Sequence, residues 1–73
     1  MIADFMQVAQ VSATGEYFPV YHRGNEYTSG LDPALAIGDT ILFEGARERI
    51  RELVVDTQHS RRKFTTESLE FIL

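Results

Sequence analysis

Five glycines, Gly15, Gly24, Gly30, Gly38 and Gly45, recur at intervals of 6 to 9 residues and cut the amino-terminal part of the chain into short segments. Each segment is shorter than a typical helix of about 11–12 residues but matches a typical strand of about five or six. Evenly spaced turn signals therefore predict several short antiparallel strands. The 73 residues make one domain, 1–73, of a size at which a single core barely offsets the entropy lost on folding. There is no cysteine, so neither a disulfide nor a thiolate metal site is available, and the apolar residues or an oligomeric contact must hold the fold.

The clearest hairpin follows Gly15. Tyr17 to His22 alternates, and Gly24-Asn25 is a two-residue loop suited to a primed turn, with Arg23 and Glu26 facing each other as an ion pair. In that register His22 faces Tyr27 and Tyr21 faces Thr28. Tyr17 and Tyr21 share one side of the strand and Phe18 and Val20 the other, so one pair enters the core and the other is open to a partner. Pro19 cannot donate to a ladder, which predicts an edge strand or one that begins just after it.

Ser29 to Pro33 reads as a turn, Leu35 to Asp39 as a bend, and Thr40 to Glu44 as a buried strand closed by Gly45. Arg47 to Asp56 fits two periods: Ala46, Ile50, Leu53 and Val54 form a helical stripe, whereas Ile50, Val54 and the charges alternate. A helix would stack Arg47 on Arg51 and Glu48 on Glu52, which favours a strand, at least through Val54-Val55. Gln58 to Arg62 reads as a loop, with Arg61-Arg62-Lys63 at its tip. Thr66 to Glu70 has a capping residue followed by helix formers, so a short helical turn is expected there. Near the start, Ile2, Phe5, Met6 and Ala9 are spaced as on a helix that Gly15 would stop, but Val8, Val11 and Thr14 tip residues 2–13 toward strand. The expected fold is mainly β, a small antiparallel curled sheet or SH3-like barrel, with a short helical turn allowed near either terminus.

Gly38-Asp39-Thr40-Ile41-Leu42 resembles the Gly-Asp-x-Ile-Leu turn and strand of PDZ domains. The Gly-Leu-Gly-Phe loop and groove helix of that family have no counterpart here, so its carboxylate-binding site is not carried over. Gly38, Asp39, Ile41, Phe43, Gly45, Ile50 and Val54 together resemble SH3-like barrels of the KOW or Tudor kind. That resemblance implies a barrel that binds proteins or nucleic acid.

No reaction centre is legible. His22 and His59 are the only histidines, and neither metal-ligand spacing nor a glycine-rich phosphate loop is present. We expect no enzyme activity, no catalytic residues, no metal and no cofactor. Glu48 and Glu52 interleave with Arg47, Arg49 and Arg51 and read as a salted surface. Charge is divided instead: residues 1–46 carry six acids against Arg23 alone, residues 47–73 carry six cations against five acids, and the net charge is −4. That balance disfavours general affinity for a polyanion and suits a basic docking face.

Two groups of side chains are candidates for partner binding: Tyr17, Tyr21, Arg23 and Tyr27 on the first hairpin, and Arg61, Arg62 and Lys63 on the second. Phe71-Ile72-Leu73 reads as a last buried strand or a sticky edge. The profile is that of a small regulator of phage or plasmid type, docking by protein–protein contacts on a larger host machine such as the transcription apparatus. Direct RNA or DNA binding ranks second, and a structural subunit assembling through sheet edges third. No apolar run reaches the roughly 18 residues of a membrane span, and Met1 to Ala13 lacks a basic leader region, so the cytoplasm is expected, as a monomer or weak homo-oligomer.

Overall fold

The computed structural model describes residues 6–69, which form six strands and no helix: β1 (Gln7–Val11), β2 (Tyr17–Arg23), β3 (Glu26–Gly30), β4 (Thr40–Phe43), β5 (Ala46–Asp56) and β6 (Arg61–Ser68). They close into an antiparallel barrel in the order β1-β2-β3-β6-β5-β4, as expected for a small β domain. Topologically the barrel is two three-stranded meanders, β1–β3 and β4–β6, joined where β3 pairs with β6 and β1 with β4. Ile2 and Phe5 of the amino-terminal stripe, and Phe71 to Leu73, lie outside the described residues.

Alternation fills the core. Ala9 and Val11, Phe18 and Val20, Tyr27, Ile41 and Phe43, Ile50 and Phe64 point inward from the six strands, and Leu35 enters from the β3–β4 loop. Tyr27 lies parallel to Phe64, with ring centres 5.1 Å apart, and edge-on to Phe43 at 5.2 Å. His22, an exposed residue, closes this aromatic stack at the barrel mouth, its ring stacked 4.3 Å from Tyr27.

The first hairpin keeps the expected register, Tyr21 opposite Thr28, His22 opposite Tyr27 and Arg23 opposite Glu26. Gly24 has φ +63° and Asn25 does not share the positive φ, the pattern of a type II′ turn. The β4–β5 hairpin turns on Glu44 and Gly45, both at positive φ, as in type I′.

Several expectations need correction. Pro19 is neither on an edge nor ahead of its strand: it pairs with Val8 of β1, while the ladder to β3 begins one residue later, at Val20 opposite Ser29. The strand thus accommodates proline where only one neighbour is paired. Ser29 and Gly30 belong to β3, so the turn starts at Leu31. Thr66, Glu67 and Ser68 continue β6 instead of forming a helical turn, because the long β5 offers Ile50, Arg49 and Glu48 as ladder partners. Arg61 and Arg62 are strand residues of β6; the loop before them is only Thr57–Ser60.

The ambiguous periodicity of β5 has a structural cause. Ile50 pairs with Thr66 and Glu52 with Thr65, which leaves Arg51 as the extra residue of a β-bulge. The bulge resets the alternation by one. Leu53 therefore packs on the core, whereas Val54, expected to face inward with Ile50, is 65% exposed.

Candidate protein-interaction surfaces

Because the inward positions are set by the core, the remaining residues of each strand form the outer surface, and the pairing register arranges them in rows. On the first meander Tyr17, Pro19, Tyr21 and Arg23 follow one another along the outside of β2. Val8 lies beside Pro19, and Gln10 of β1 lies between Tyr17 and Leu42 of β4. Tyr17 is 68% and Val8 59% exposed, with Met6, Tyr21 and Leu42 also open to solvent. Three bonded strands thus present an apolar and aromatic face whose tyrosines add polar handles.

A second row joins the two meanders. Thr28 lies opposite Tyr21 on one side and Lys63 on the other, and Lys63 lies opposite Val54. Tyr21 and Lys63 therefore share the outer surface two strands apart, about 10 Å by strand spacing. The next row is Arg23, Glu26, Thr65 and Glu52.

Of the candidate partner-binding residues, Tyr17, Tyr21, Arg23, Arg61 and Lys63 stand on this outer surface, and Tyr27 and Arg62 do not. Tyr27 is 3% exposed and belongs to the core. Burial pushes its phenol above the usual range, a hydrogen bond with Thr66 pulls in the opposite direction, and Glu48 and Glu44 push upward again. Arg62 is drawn back across the barrel end, where Nη1 donates to the carbonyls of Leu31 and Pro33 and fastens the β3–β4 loop. The Ile50 amide donates to the Asp39 carbonyl at 2.9 Å, and the Gly38 amide donates to the Ile50 carbonyl at 2.9 Å, pinning the other end of the same loop.

Arginine charges are matched across strands, which the linear order did not reveal. Arg49 does not pair with Glu48 or Glu52; its Nη2 and Nε donate to Glu67 at 2.6 and 2.9 Å. Glu48 and Glu52 instead accept from Thr66 and Thr65. Arg61 lies 3.7 Å from Asp56, which also accepts from His59: its backbone at 3.2 Å and its ring Nδ1 at 2.9 Å. The His59 hydrogen bond holds the Asp56 carboxyl below the ordinary range, and so closes the β5–β6 turn.

Among the described residues no three His, Asp or Glu side chains cluster in a way that could hold a metal ion, and the two histidines stand apart, His22 at the β2–β3 turn and His59 in the β5–β6 turn. No described helix is long and apolar enough to cross a membrane. Val8, Leu42 and Pro19 were missing from the candidates. Their signal was parity: once Ala9 and Val11, and Ile41 and Phe43, are taken as inward, Val8 and Leu42 must face out.

No family model, curated protein or solved structure matches the chain.

Proposed function

We propose that the protein is a small non-enzymatic regulator that binds a larger macromolecular machine through the outer face of β4-β1-β2. The observation that carries this reading is the row of Tyr17, Pro19 and Tyr21 beside Val8 and Leu42, left open while the alternate residues of the same strands fill the core. Aromatic side chains on a rigid sheet contribute large contact areas at low entropic cost, as the anchors of interfaces do. Net charge −4 suits a basic docking face on a nucleic-acid-handling enzyme, such as the transcription apparatus of a host cell. A phage or plasmid origin and action in the cytoplasm complete the proposal.

Protein binding is favoured over nucleic-acid binding by how the cations are used. Arg49 faces Glu67, Arg61 faces Asp56 and Arg62 holds loop carbonyls, so three of the six cations of the basic run already have partners within the barrel, which reduces what it can offer to phosphates. Affinity purification from the native host tests the reading. The intact protein should retain a defined complex that the Tyr17→Ala/Tyr21→Ala double variant loses, with the variant's melting temperature unchanged. Equal recovery of that complex by both proteins would overturn the assignment of the face.

A further inference from the structure

We propose that the outer edge of β5, from Arg51 to Asp56, is a strand-addition site for an extended segment of a partner protein that places a basic residue opposite Glu52 and an apolar one opposite Val54. β4 has four residues and pairs only with Ala46 to Arg49 of the eleven-residue β5. Ile50 is bonded to the β3–β4 loop. Beyond it, β5 is paired on one side only, by β6, among the described residues. Among the described residues this is the longest stretch of strand backbone paired on one side only, six residues against three or fewer elsewhere, and backbone amides and carbonyls on such an edge can pair with another strand.

The side chains along the edge distinguish selective pairing from indiscriminate pairing. A bulge at Arg51 and charges at Glu52 and Asp56 are ordinary means of keeping a sheet edge from aggregating. Between them, however, Val54 and Val55 are exposed on opposite faces of the strand. A strand laid along β5 would cover one with its outer residues and the other with its inner ones.

Charge selects the occupant. Asp56 is already met by His59 and Arg61, whereas among the described residues Glu52 accepts a hydroxyl hydrogen bond from Thr65 and faces no cation across the ladder, and on the other side of Thr65 stands Glu26. Glu26, Glu52, Val54, Lys63 and Thr65 line a shallow depression of about 220 Å³ beside the edge. A lysine or arginine opposite Glu52 would lie one strand spacing from that carboxylate, within reach of an ion pair. A second copy of the chain paired edge to edge through β5 does not supply that cation. Symmetric antiparallel pairings centred on Leu53, Val54 or Val55 set Glu52 against Val54, Asp56 or Gln58.

The test is an NMR titration of the isotope-labelled full chain with the capped peptide acetyl-Thr-Lys-Thr-Val-Thr-Arg-Thr-amide, whose antiparallel register sets its arginine against Glu52 and its valine against Val54. We expect saturable shifts concentrated at residues 51–56, slowed amide exchange there, and binding weakened about tenfold or more when both basic residues of the peptide are replaced by glutamate. The Tyr17→Ala/Tyr21→Ala variant should respond as the parent does, which separates this site from the tyrosine face. An absence of saturable shifts in residues 51–56 at millimolar peptide, an equal response to the acidic peptide, or shifts in that segment that follow protein concentration alone would overturn the proposal.

Discussion

The two meanders of the barrel differ in what they leave exposed. The outer strands of β1–β3 are bonded to β4 and β6 along most of their length, so this meander offers a partner mainly side chains, and it offers tyrosines. β4–β6 is built from strands of four, eleven and eight residues, and among the described residues the mismatch leaves about half of β5 paired on one side only. Strand length, more than composition, decides whether a small barrel presents a surface or an edge. Turn chemistry supports the difference: a type II′ turn couples β2 and β3, strands of seven and five residues, whereas β5 runs well past its type I′ partner β4.

If the meanders are held together chiefly by their shared aromatic stack, removing Phe64 should have the largest effect. Phe64→Ala, which deletes the ring between Tyr27 and Leu53, should destabilise the fold by about 3–5 kcal/mol. That is enough to unfold much of a domain this small, and chemical denaturation will show it. A loss below about 1 kcal/mol would mean that the halves are stabilised separately.

A smaller effect is expected at the barrel end. Arg62→Met keeps the apolar stem but removes the donors to Leu31 and Pro33, and should cost about 1–2 kcal/mol. Proteolysis within residues 31–39 should become faster while the first hairpin stays protected. Uniform loss of protection would show that the loop is not fastened locally.

The smallest expected effect concerns the β5–β6 turn. The Asp56 carboxyl is held low in the folded state, first by the His59 hydrogen bond, so it binds its proton more readily when unfolded. Its contribution is therefore present above the ordinary carboxylate range and is lost as pH falls through the lowered folded value. Asp56 is solvent-facing, so the slope should be shallow. Comparing denaturation midpoints of the parent and Asp56→Asn from neutral to acidic pH checks this, the two curves converging at low pH. Parallel curves would remove the turn contact from the account.

Much of the fold was legible in residue order because the first meander obeys local rules. Gly24-Asn25 fixed a register, and the register fixed which of Tyr17, Phe18, Val20 and Tyr21 face inward. The second meander was harder to read because its determinants are not local. The bulge at Arg51 shifts the alternation, so Ile50 and Leu53 share the inside at a spacing that imitates a helix. Thr66 to Ser68 carry helix-compatible residues but have a ladder waiting on β5. The candidate site was legible in part for the same reason. Tyr17 and Tyr21 follow from parity, whereas the inward turn of Arg62 and the pairing of Arg49 with Glu67 depend on which strands meet across the barrel.

The central claim, that the tyrosine face of the first meander is the binding surface, is tested most directly by calorimetry with the purified partner. Two aromatic anchors of about 2 kcal/mol each predict that Tyr17→Ala/Tyr21→Ala weakens binding by about a thousandfold while the unfolding midpoint is unchanged. An affinity within about twofold of the parent protein, less than about 0.5 kcal/mol, would contradict it.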